Sequence, residues 1–179
     1  MTTTASGPIT TTEERLKTLL SSLSAFRAWV GATTSAAAAE HIYLEALPRS
    51  FWQDDAYTLE WLKSIRPFAQ IWTDEINGFQ VTNISSQSSP TSYTSSGVLV
   101  VRFEANVTHS IRHDIEEVDR LFKNALGDII VELMADNSDD CLAIRNIQVT
   151  HIWRTSPEEM PAFGDAQEGI IEIQWGAAS

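Results

Sequence analysis

The chain has 179 residues, 24 of them acidic and 12 basic, for a formal net charge of −12. That length suits a single domain whose core needs no metal or disulfide staple, and its surplus of acid argues against tight binding of nucleic acid, although DNA could slide past such a surface. No apolar run approaches a membrane span, and the single cysteine, Cys141, excludes an internal disulfide framework; with no cationic, apolar leader, a reducing compartment is expected.

The first ten residues, MTTTASGPIT, are small and polar and read as a flexible arm, leaving 11–176 as one domain. Thr11 and Glu14 fit the Thr-x-x-Glu capping box of a helix start. Leu16, Leu19, Leu20, Leu23, Phe26 and Val30 then recur at helical spacing, which predicts one amphipathic helix of about five turns closed by Gly31. The run SAAAAE adds a short turn. Residues 41–47, HIYLEAL, read as a strand, and DAYTLEWLKS as one or two helical turns.

Pro67 opens PFAQIW, a short strand in which a starting proline removes no interior ladder bond. The Asn77-Gly78 pair predicts a tight hairpin whose second arm is FQVTNIS. SQSSPTSYTSSG (86–97) lacks charge and complexity, which predicts a mobile loop, placed at 85–96. VLVVRFEANV follows as a strong strand over 98–107, with an opening apolar enough to be covered on both faces. From Asp114 the period changes to 3.6: Ile115, Val118, Leu121, Phe122, Leu126, Ile129, Ile130 and Leu133 form one wide apolar stripe. Residues 141–154 read as a long strand, 155–168 as a second mobile loop, and 170–175 as a closing strand. The sum is an α+β fold: a mostly antiparallel sheet flanked by an N-terminal helix and a long central helix.

Chemical signals are sparse. His109 and His113 stand four apart, but in extended chain that spacing separates them by about 13 Å. The acids Asp114, Glu116 and Glu117 instead mark the first turn of a helix, where they offset its dipole. There is no His-Glu-x-x-His motif, so no metal site is expected. DNSDDC (136–141) fails as a calcium loop, with Cys141 at the sixth position and Ile147 at the twelfth. Cys141 has no nucleophile signature, and neither a Gly-x-Ser-x-Gly elbow nor a phosphate-binding glycine loop is present. These readings predict no catalytic residues, no cofactor and no metal.

Several stretches resemble small phage tail-completion proteins, tail terminators in particular. They are ERLKTLLSSLSAFRAWVGA as opening helix, EHIYLEALP, RPFAQIW as the family's Arg-Pro-Phe strand, LFKNALGDIIVEL as central helix and GIIEIQWG as terminal strand. The resemblance implies an antiparallel sheet flanked by helices. It also implies a non-catalytic ring, usually a hexamer, that closes the head-proximal end of a tail tube and docks to the neck. Expected partners are other copies of the chain, the tail tube protein and a neck or head-completion protein, with no membrane. The expected location is the virion, assembled in the host cytoplasm. Trp52, Tyr93, Met160 and Phe163 are the candidate contacts, being aromatic or soft apolar groups in polar loops. Open alternatives are a head-tail joining or stopper protein, a cytosolic α+β module for a small ligand, and a metal enzyme built on His109 and His113.

Overall fold

Pro8, which lacks the amide that a first helical turn leaves unsatisfied anyway, opens helix α1 (Pro8–Ser22). The computed structural model describes residues 8–44, 59–74, 79–83, 93–107, 112–135, 142–155 and 165–178. The helix therefore begins three residues before the expected capping box at Thr11, and residues 8–10 of the expected flexible arm are helical. Nor does it run unbroken to Val30. Leu23 is extended (φ −64, ψ 135), and a separate helix α2 (Ser24–Val30) starts after it.

The break has a long-range cause that periodicity does not carry. Ser24 Oγ and the Ala25 amide, which donates at 3.0 Å, both bind the carboxylate of Glu132 on the central helix. Glu132 thus caps α2 from another element, as Leu23 makes no side-chain cap bond. Donation from Ser24 first, and from the Ala25 amide second, holds the Glu132 carboxyl below its ordinary pKa. Gly31 then ends α2 as expected, in the left-handed conformation at φ 72, with its amide on Ala28 O. Helix α3 (Ser35–Ala39) follows, its Ala37 amide donating to Thr34 Oγ1 at 3.2 Å.

The remaining elements are β1 (Ile42–Tyr43), α4 (Leu59–Ile65), β2 (Phe68–Thr73), β3 (Phe79–Asn83), β4 (Tyr93–Asn106), α5 (Arg112–Ala135), β5 (Ala143–Thr155) and β6 (Ala166–Ala178). The sheet order is β1-β2-β4-β6-β5, with β3 also paired to β4. All pairings are antiparallel except β1 with β2. The fold is α+β with a mostly antiparallel sheet.

Two expectations are corrected along β4. β2 and β3 are not the arms of a hairpin: β2 pairs with 99–104 and β3 with 93–97, both antiparallel to β4. They therefore run in the same direction, end to end along one long strand, with 75–78 outside the described residues. β4 itself begins at Tyr93, so residues 93–96 of the expected loop 85–96 are strand. Ladders with β3 on one side and β6 on the other satisfy that Ser/Thr-rich backbone, overriding its loop-like composition. Likewise β6 begins at Ala166, inside the expected loop 155–168.

The core lies between one sheet face and the layer of α1, α2 and α5. Leu16, Leu20 and Phe26 meet Ala69, Ile71, Leu99, Val101 and Phe103, while Phe122, Leu126, Ile129 and Leu133 cover Ile171, Ile173 and Trp175. Trp29 joins the two helical groups, 5.7 Å from Phe103 and 6.3 Å from Phe122 between ring centroids. Gly169 lets α5 sit close, since a Cβ there would lie 2.9 Å from Leu126 Cδ2. Phe79 and Trp175, both opposite Gly97 in register, bring their rings to 5.6 Å across it.

The apolar stripe of α5 is narrower than its sequence suggests. Phe122, Leu126, Ile129 and Leu133 are buried, but Leu121, expected to face the sheet, is 54% exposed. It lies one residue, about 100°, from Phe122 and so points away from the sheet.

Candidate functional site

β5 ends the sheet, with β6 on one side and no strand on the other among the described residues. Its thirteen residues, AIRNIQVTHIWRT, hold two arginines and a histidine but no acid, in a chain with 24 acids. The pairing with β6 shifts register twice, leaving Arg145 and Thr150 as bulge residues. Bulges sharpen the local twist, and the one at Thr150 sets the facing of the residues after it. Val149 and Ile152 lie opposite Ile171 and Gly169, on the helix-bearing face. His151 and Trp153 lie opposite Ile170 and Glu168 on the other face, their rings 5.6 Å apart edge-on. Val149, Ile152 and Trp153 are all exposed, between 38% and 43%.

Behind this edge, a chain of alternating charges crosses the sheet on the face away from α5. Arg66 Nε donates to Glu104 Oε1 at 2.6 Å, Nη2 pairs with the same oxygen, and Nη1 donates to Asn106 Oδ1 at 3.1 Å. Arg102 Nη2 pairs with Glu104 Oε2 at 2.7 Å and with Glu168 Oε2 at 2.5 Å. The other oxygen of Glu168 lies 3.9 Å from His151 Nε2. Arg66 and Glu104 are buried, and ions out of water persist only when paired in this way. Both Glu104 oxygens and Glu168 Oε2 face an arginine, so the arrangement ties the turn before β2 to β4 and β6. Nearby, Arg154 grips Asp165 with three bonds at 3.0 Å, fixing the end of β5 to the start of β6.

The four contacts expected from sequence are not brought together here. Trp52, Met160 and Phe163 lie outside the described residues, and Tyr93 opens β4 opposite Asn83. His109 is also outside them, and His113 is the second residue of α5. Among the described residues no cluster of three or more His, Cys, Asp and Glu is placed to hold a metal. Among them, too, no helix is long and apolar enough to cross a membrane. His41 is engaged with the carbonyl of Pro67 at 2.8 Å, and burial pushes the Tyr43 phenol up. Two open surface depressions, of about 460 and 430 Å³, lie between α1 and α3 and beside Glu132 and Arg27.

Sequence reasoning missed both the charge chain and the open edge. One signal was present: Arg102 and Glu104 alternate with buried Val101 and Phe103, which puts two opposite charges on one face of a central strand. The other was the absence of acid from β5. The chain matches no protein-family model, and no curated protein sequence matches it.

Proposed function

We propose that this chain is a structural virion protein, a phage tail terminator. Copies of it close into a ring, six in number as the resemblance implies, at the head-proximal end of a tail tube. The ring stops tube growth and gives the neck a docking face. The work is non-catalytic and uses no cofactor. The acidic surface suits it, because DNA crossing the ring is repelled rather than trapped.

The observation that supports this reading best is the open β5 edge. Among the described residues this thirteen-residue end strand has no outer neighbour; its two bulges and its arginines hinder pairing with another strand, so what it offers for association is its exposed side chains, Val149, Ile152 and Trp153. The α+β fold with a mostly antiparallel sheet also agrees with what the resemblance implies. A subunit built to assemble has reason to keep such an edge, and a head-to-tail contact that closes limits growth to a ring.

The test is imaging. Purified chain is expected to form rings in negative stain and to cap one end of polymerised tube protein. A phage lacking the gene is expected to make tails of irregular length that fail to join heads. Rings that bind heads but not tubes would turn the reading to a stopper or joining protein. Normal tails without the gene would remove it.

A further inference from the structure

The large apolar side chains exposed among the described residues are six, and they fall on two elements only: Leu121, Val131 and Met134 on α5, and Val149, Ile152 and Trp153 on β5. Leu121 and Val131 belong to one ridge, and Met134 lies off it. Glu117, Leu121, Asn124, Asp128 and Val131 stand at i, i+4, i+7, i+11 and i+14, which is one side of a helix, and all five are exposed. That ridge points away from the sheet, because Phe122, Leu126, Ile129 and Leu133 take the opposite side.

The geometry points to a head-to-tail joint in which the β5 edge of one copy seats on the α5 ridge of the next. This rests on the ring reading and names the surfaces that join it. Three features match the two surfaces. Each offers exposed aliphatic groups, which a contact would take from water. Their charges differ in sign: Asp128 stands on the ridge, where Glu117 is already paired with Arg120 at 3.4 Å, while β5 carries Arg145, exposed and folded over Gly176, and no acid. Their lengths agree as well. Glu117 to Val131 spans about 21 Å of helix, and Arg145 to Ile152 spans roughly 20 Å of bulged strand. A helix laid along an open sheet edge is also one of the ways proteins protect such an edge.

The occupant is a second copy of this chain because a single copy carries both complementary surfaces on different elements. A self-complementary pair would join the same patch twice and stop at a dimer. Two different patches propagate from copy to copy until a ring closes. The bulges at Arg145 and Thr150 fit this role, since they turn Val149 and Ile152 to one face and Trp153 to the other. A ridge between them meets apolar groups from both.

The experiment uses two full-chain variants, Val131→Lys on the ridge and Ile152→Glu on the edge. Both sites are exposed, so circular dichroism and thermal melting should match wild type. If either fails to fold, Leu121→Lys and Val149→Glu replace them. Each variant alone is expected to sediment as a monomer under conditions where wild type assembles. Mixed one to one, they should form a complex of two chains, because the first keeps its β5 edge and the second keeps its α5 ridge. A folded variant that assembles like wild type, or a mixture that stays monomeric, would overturn the joint. Wild-type rings indifferent to both variants would remove this joint and leave the ring reading standing. A wild-type chain that is monomeric at every concentration would remove both.

Discussion

β5 and β6 pair along most of their length, and each has thirteen residues with isoleucines and a tryptophan among them. Their fates differ. In β6, Ile171, Ile173 and Trp175 are sealed under α5, with strands on both sides. In β5, Val149, Ile152 and Trp153 meet solvent. Apolar content does not separate the two strands; position in the sheet does. A central strand spends its apolar groups on the subunit's own core, whereas the end strand keeps some for a neighbour. The same contrast holds between Phe122 and its chain neighbour Leu121 on α5, one buried and one not.

Substitutions in the sealed and open regions should differ widely in cost. Glu104→Ala should cost about 3–5 kcal/mol, because it leaves Arg66 buried without its counter-charge. Urea unfolding measures this, and a loss under about 1 kcal/mol would mean that water reaches Arg66. Ile173→Ala on β6 should cost about 2–5 kcal/mol through lost burial and a cavity. Ile152→Ala on β5 should stay within about 0.5 kcal/mol in the free subunit. Equal costs would erase the distinction between the strands. Phe122→Ala and Leu121→Ala should separate in the same way on α5, about 3–5 kcal/mol against about 0.5.

A smaller effect is expected in the helical layer. Glu132→Gln weakens the cap that α5 provides for α2, at a cost of no more than about 1 kcal/mol since the carboxylate is largely solvated. The folded carboxyl titrates below its ordinary value of about 4.5. Its contribution is therefore full above that value and fades as pH falls through the lowered one. Melting curves of the variant and wild type should be separated at pH 6 and converge as pH falls well below 4.5. A gap that widens in acid would contradict the assigned cap.

What could be read from sequence is what local period encodes. The central helix, the strong strand after Gly97 and the closing strand are legible because their apolar residues repeat at 3.6 or 2 over many positions. The failures share a physical origin in partners far along the chain. The split at Leu23 depends on Glu132, more than 100 residues away. The strand character of 93–97 depends on ladders with β3 and β6, so YTSSG looks like loop until its neighbours are known. The Asn77-Gly78 pair signals a turn but not its direction, and β4 decides that β2 and β3 run on rather than fold back. Arg66 and Glu104 lie 38 apart, so neither reveals the other. The open β5 edge depends on sheet order, which no periodicity reports.

Amide hydrogen exchange across a dilution series, read peptide by peptide, asks whether the β5 edge is kept open for a neighbouring subunit. Protection over 143–155 should rise as the chain assembles, together with that over the exposed ridge of α5, while the already sealed 166–178 stays constant. Assembly that leaves exchange over 143–155 unchanged would contradict that role for the edge.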